Sequence, residues 1–140
     1  MFTSTTSILQ KAQQERYAVG HFNINNMEMV QAIVNAAVKL KSPVILATSE
    51  GAIQYAGMEY LYALAKTASE QTKIPIALHL DHGKDMKIIE KAIKIGYSSV
   101  MIDASHEDFE KNISLTKKVV ALAHKKGIAV EAELGTIGGA

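Results

Sequence analysis

IPIALHLDHG, residues 74–83, reads as a buried β-strand until its last residues. Ile74, Ile76, Leu78 and Leu80 share one face, as side chains two apart in a strand must. The other face carries His79 and Asp81, and His82 and Gly83 follow at once. Imidazoles and a carboxylate at the end of an oily strand need partners, because desolvating them costs free energy unless something pairs with them.

Four further runs share this character: YAVGHFNI (17–24), PVILATS (43–49), SSVMIDAS (98–105) and IAVEAELG (128–135). Helical patterns separate the five strands. The first is expected to start at Asn25 or Asn26 as cap and to bury Met29, Val30, Ile33, Ala37 and Leu40, and the second centres on Leu61, Leu64, Ala65 and Ala68. Asp85 caps a third, with Ile88, Ile89, Ala92 and Ile93 inward and Gly96 at its C-terminal end. The fourth runs from about Asp108 to Lys126, buries Phe109, Ile113, Val120 and Ala123, and stops at Gly127.

Strict β/α alternation implies a parallel sheet, either open and doubly wound or closed into a barrel. Even-numbered strand positions are mainly apolar: Val44 and Leu46, Ile76, Leu78 and Leu80, Val100 and Ile102, Val130, Ala132 and Leu134. Odd positions turn polar toward each C-terminal end, at Asn23, Ser49, His79, Asp81, Asp103, Ser105, Glu131 and Glu133. A doubly wound sheet is covered on both faces, so both sets should be oily. One oily and one increasingly polar set suits an α/β (β/α)8 TIM barrel, whose chemistry sits at the C-terminal rim. A full barrel needs about 250 residues. Residues 1–140 are therefore expected to form the N-terminal portion of a single barrel domain, its first five strands and four helices.

Composition narrows the function classes. With 15 Lys and Arg against 14 Asp and Glu, the net charge of +1 gives no electrostatic case for nucleic acid or an acidic membrane. There are no cysteines, which removes disulfides, thiolate nucleophiles and sulfur-ligated metals together. No run of about 18 apolar residues or signal-peptide pattern occurs, so the expected location is the cytoplasm.

Neighbouring parallel strands lie about 4.8 Å apart. The ends of three consecutive strands would therefore gather Asp81, His82, Asp103, Glu131 and Glu133 into one small volume. A divalent cation relieves both the repulsion and the desolvation there, and imidazole with carboxylates suits Zn²⁺, with Mn²⁺, Co²⁺ or Fe²⁺ as alternatives. Taken singly, each residue reads more simply as a hydrogen-bonded or capping group. Recurrence at His82, Asp103 and Glu133 is what favours a metal site. His79 is assigned a supporting role, and His21 that of a satisfied core histidine. Every lysine falls on a helix or loop, which disfavours a Schiff-base mechanism.

HLDHG (79–83), MIDASH (101–106) and VEAELG (130–135) together resemble the class II, metal-dependent ketose-bisphosphate aldolases. The match is in order, and it extends to HFNINNMEMVQAI (21–33), SPVILATSEG (42–51) and the GG at 138–139 where the family's mobile loop begins. The resemblance implies a zinc-dependent aldolase of glycolysis and gluconeogenesis. It would cleave fructose 1,6-bisphosphate reversibly to dihydroxyacetone phosphate and glyceraldehyde 3-phosphate.

By the same resemblance Asp81 is the acid/base residue for the C4 hydroxyl, and His82 is the first ligand of the catalytic zinc. Asp103 and Glu133 serve a second or alternative metal position, and Ser49 contacts the substrate. Asn23, Asn25 and Glu131 support. Adjacent residues at a strand end diverge, so Asp81 and His82 can divide two roles. The family's two other zinc histidines, its phosphate-binding segments and its loop carboxylate would lie beyond Ala140, so the chain alone is expected to be poorly active, and a homodimer is expected at full length. The alternatives are a tagatose-1,6-bisphosphate aldolase, with Gly83 favouring fructose, and a non-catalytic half-barrel association module.

Overall fold

Five parallel strands form one sheet in chain order: β1 (Gly20–Asn23), β2 (Val44–Ser49), β3 (Ile76–Gly83), β4 (Ser99–Ile102) and β5 (Ala129–Ala132). The computed structural model describes residues 2–135. A doubly wound sheet reverses its strand order at a switch point. Here each strand pairs with the next in sequence, through registers such as Val44↔Ile76 and Val100↔Val130, which is the order of a barrel wall.

The even-numbered strand positions meet the helices. Val44, Leu46, Ile76, Leu78, Leu80, Val100 and Ile102 are all buried in one apolar core with Ile89, Ala92 and Val119 from the helices. Four helices stand where the periodicity places them: α2 (Met27–Leu40), α4 (Met58–Glu70), α5 (Met86–Ile95) and α6 (Phe109–Ala123). Asn26, Asp85 and Asp108 cap three of them, each side chain accepting from an amide of the first turn. Gly96 ends α5 in the left-handed conformation.

Two helices were not legible. α1 (Thr5–Glu15) precedes the sheet, and α3 (Glu50–Ala56) intervenes between β2 and α4, separated from α4 by Gly57 at φ 85°. TTSILQKAQQE is too polar to announce a buried face, yet Ile8 and Ala12, four apart, are buried. Ile8 joins Ile45, Ala77 and Val19 in a second small cluster. Thr3 N–H donates to the Ile76 carbonyl (2.8 Å) and the Thr5 hydroxyl to Ser99 Oγ (2.9 Å). α1 thus covers the odd-numbered face where the strands begin, opposite the polar rim.

Some expected core positions are corrected. In α2 the buried stripe is Val30, Val34 and Ala37, while Met29 and Leu40 lie at its edge, Leu40 being 74% exposed. In α6 the buried residues are Asn112, Val119 and Ala123; Phe109 is 62% exposed and Val120 only half-buried. Ala132 and Leu134 are exposed because β5 is an edge strand of the described sheet, with no neighbour beyond it.

Candidate metal centre

The site begins with an irregularity in β3. Leu80 pairs with Val100 but Gly83 with Ile102, so β3 carries one residue more than β4 across the same span. This is a β-bulge, which re-aims side chains at the end of a strand. His82 lies at its centre with φ 48°, a left-handed conformation uncommon outside glycine. In a regular strand His82 would face the helices, opposite Asp81. The bulge turns it back toward the odd-numbered set, which corrects the expectation of simple divergence.

His82 Nδ1 lies 2.9 Å from Asp103 Oδ2 and 3.9 Å from Glu133 Oε2. One potential ligand atom from each of His82, Asp103 and Glu133 falls within 4.8 Å of the others. Asp103 is buried, which would raise its pKa, but hydrogen bonds from Ser105 and His82 outweigh burial and hold it down to about 2. Ser105 supplies both its hydroxyl (2.7 Å) and its amide (3.2 Å) to Asp103 Oδ1. The His82 pKa is raised, chiefly by its bond with Asp103 and against the effect of burial. Among the described residues no Lys or Arg pairs with Asp103 or Glu133. An imidazole and two carboxylates without a cationic side chain fit a divalent metal of the Zn²⁺ type.

Asp81 stands beside this group. Its Oδ2 accepts from Asn23 Nδ2 at 3.0 Å, so the side chain of β1 orients it across β2. Ser49, in register with Asp81, accepts from the Ala52 amide (3.1 Å) and caps α3. Asn25 is exposed in the loop before α2. The GG at 138–139 lies outside the described residues.

Glu131 is not in the His82 group: its carboxylate lies 3.5 Å from His79 Nε2, without hydrogen-bond alignment, so that buried nitrogen is unsatisfied. His79 Nδ1 meets Ser99 Oγ at 2.7 Å. His21 is exposed rather than in the core, its ring edge-on to His79 at 5.4 Å, on β1 at an edge of the described sheet. His21, His79 and Asp81 also place one potential ligand atom each within 4.8 Å of the others.

Gly83 explains why the bulge can close. A Cβ there would lie 2.7 Å from the Met101 carbonyl oxygen and 2.9 Å from Ile89 Cγ1. Gly83→Ala is expected to cost about 3 kcal/mol of stability, the upper end for overpacking against backbone. Urea unfolding measures it, and a loss below about 1 kcal/mol would show that β4 yields.

His79 gives a second prediction. It is 3% exposed, and burial, with His21 nearby, lowers its pKa from 6.5 to about 4 although Asp81 opposes the shift. Above about pH 6.5 both folded and unfolded chains carry it neutral. As pH falls from about 6.5 to about 4, the unfolded chain takes up a proton that the folded chain excludes, so stability declines. The shift corresponds to about 3 kcal/mol. Between pH 7 and pH 4, urea unfolding should show wild type losing about that much more than His79→Gln; equal losses would clear His79 of this role.

Asn112 is a residue of the rim that the strand-end pattern does not single out. It occupies an α6 position that periodicity marks as inward, and its amide donates to the Glu133 backbone carbonyl at 2.8 Å. A polar residue on a buried helix stripe was the signal available.

Known proteins share the sequence and the fold of this chain. The family model for "Fructose-bisphosphate aldolase class-II" matches residues 3–140. The fructose-bisphosphate aldolase of Giardia intestinalis is 53% identical over 133 residues, covering 94% of this chain and 41% of the relative. That of Thermus caldophilus is 50% identical over 139 residues, covering 99% and 45%. The crystal structure of the YdjI aldolase from Escherichia coli K12 superposes with a TM-score of 0.91 at 38% identity, over 96% of this chain and 53% of that one. The chain spans about half the length of the curated relatives it matches. Its sheet is part of the TIM barrel of those aldolases. With the family model matched along nearly the whole sequence and relatives at half identity, this chain belongs to the class II fructose-bisphosphate aldolase family.

Proposed function

We propose that residues 1–140 are the N-terminal part of one barrel domain that, at full length, cleaves fructose 1,6-bisphosphate reversibly to dihydroxyacetone phosphate and glyceraldehyde 3-phosphate. The observation that carries this reading is the separation of two duties at one rim. His82, Asp103 and Glu133 converge within 4.8 Å, while Asp81, outside that group, accepts a hydrogen bond from Asn23. The three converging residues would hold Zn²⁺, with Asp103 and Glu133 also able to serve a second position. Such an ion, when bound, supplies Lewis-acid stabilisation of negative charge on the ketone fragment.

The chain's own part is proton transfer and orientation. Asp81 takes the C4 hydroxyl proton as the C3–C4 bond breaks, leaving the electron pair on the three-carbon ketone phosphate and releasing the aldehyde. In the reverse direction it returns the proton. A carboxylate in this role must lie beside the ligands without becoming one. The hydrogen bond from Asn23 fixes one Asp81 oxygen and leaves the other for the substrate. Ser49 keeps its hydroxyl hydrogen free for substrate while its oxygen caps α3. His79 and Glu131 support the rim from below, and Asn25 belongs to the polar loop beside it.

Fructose is favoured over tagatose by the names of the relatives. Gly83, the residue that tilts the resemblance toward fructose, packs against Met101 and Ile89 in this chain. A homodimer in the cytoplasm is the proposed working state. No helix among the described residues is long and apolar enough to cross a membrane.

The test is cleavage of the two ketose bisphosphates by a full-length form before and after chelation. Fructose 1,6-bisphosphate should be the better substrate, and activity should vanish with the metal and return with added Zn²⁺. Undiminished cleavage by the metal-free protein would overturn the reading.

A further inference from the structure

His82 is an imidazole-bearing residue held in a conformation that a side chain rarely adopts, at φ 48°. Such a conformation persists only where its surroundings over-determine it. On the upstream side the β3 ladder fixes the chain through Leu80↔Val100. On the downstream side two constraints act. The Asp103 amide donates to the Gly83 carbonyl at 2.8 Å, and one carboxylate oxygen of Glu50, Oε1, accepts from the amides of both Lys84 and Asp85, each at 2.7 Å.

Glu50 is 34 residues from Lys84 in sequence and comes from a different strand end, as the first residue of α3 after β2. Its bonds are short, charge-assisted and made to backbone, so they fix the path of the turn rather than one side chain. That turn joins His82 to Asp85, the cap of α5. Without the shared acceptor, two adjacent amides lose their partner and the chain after His82 is free to leave the bulged conformation. The imidazole would then swing toward the helix face, away from Asp103 and Glu133.

We propose that Glu50 is a positioning residue of the metal centre, which by clamping the Lys84 and Asp85 amides keeps His82 in its left-handed conformation facing Asp103 and Glu133. The inference rests on the reading of His82 as a metal ligand and adds to it the group that shapes the ligand's backbone.

The experiment is Zn²⁺ affinity of the full-length protein by competition with a chromophoric chelator, in a cycle of Glu50 and His82 variants. Glu50→Ala should weaken Zn²⁺ binding about 10- to 100-fold, the range for partners that orient metal ligands. Glu50→Gln keeps an oxygen able to accept from both amides and should recover most of that loss. Glu50→Asp keeps the charge and the helix start but withdraws the oxygen by one methylene, so it should show the loss even if the alanine variant does not fold. In a His82→Ala background none of these changes should alter affinity further.

A general loss of stability would instead lower affinity equally in both backgrounds, and that result, or Zn²⁺ affinity unchanged in Glu50→Asp and Glu50→Ala, would overturn the proposal. If His82→Ala itself left Zn²⁺ affinity unchanged, the metal reading of the site would fail, which the cycle separates from failure of the Glu50 inference.

Discussion

Asp81→Ala in a full-length form should lower turnover of fructose 1,6-bisphosphate by about 10²- to 10⁴-fold, the usual contribution of a positioned acid or base, and leave the bound metal unchanged. The expectation follows from where the carboxylate stands. Asp81 is bonded to Asn23 at 3.0 Å and is absent from the His82, Asp103 and Glu133 group. Removing it takes away the acceptor for the C4 proton without removing a ligand. Substrate binding should change much less than turnover, because the group acts on a proton in flight. Metal analysis beside steady-state kinetics checks both halves. Near-normal turnover would transfer the acid/base role elsewhere, and a parallel loss of metal would make Asp81 a ligand.

His82→Ala should do the opposite in kind: metal content and turnover fall together, with Zn²⁺ affinity lowered by more than about 100-fold. Loss of a direct ligand must exceed the about 10- to 100-fold that loss of an orienting partner costs. The remaining Asp103 and Glu133, whose oxygens lie within 4.8 Å, then repel with no imidazole beside them. Excess Zn²⁺ should restore part of the activity of His82→Ala and none of that of Asp81→Ala. This contrast between neighbouring residues is the sharpest test of the division of labour, and equal rescue of both variants would erase it.

The strands, the caps and the polar rim were legible because each depends on local rules. Asn26, Asp85 and Asp108 cap helices through amides in the next turn, and strand parity sorted Leu78 and Leu80 from His79 and Asp81. α1 was not legible, since its short apolar face finds its partners only across the sheet, in Ile45 and Ala77. Phe109 and Leu40 misled for the converse reason: they are apolar by composition, but they stand exposed, with no element among the described residues covering them.

Sequence by itself therefore determined a barrel-type parallel sheet, with His82, Asp103 and Glu133 at three successive strand ends, because period and alternation are written in neighbouring residues. Tertiary structure alone decided that they meet. A regular strand would aim Asp81 and His82 apart; the bulge that brings His82 round to Asp103 depends on Gly83 lying against the Met101 carbonyl and on Glu50 holding two distant amides. Those are contacts between chain segments tens of residues apart, and no local pattern specifies them.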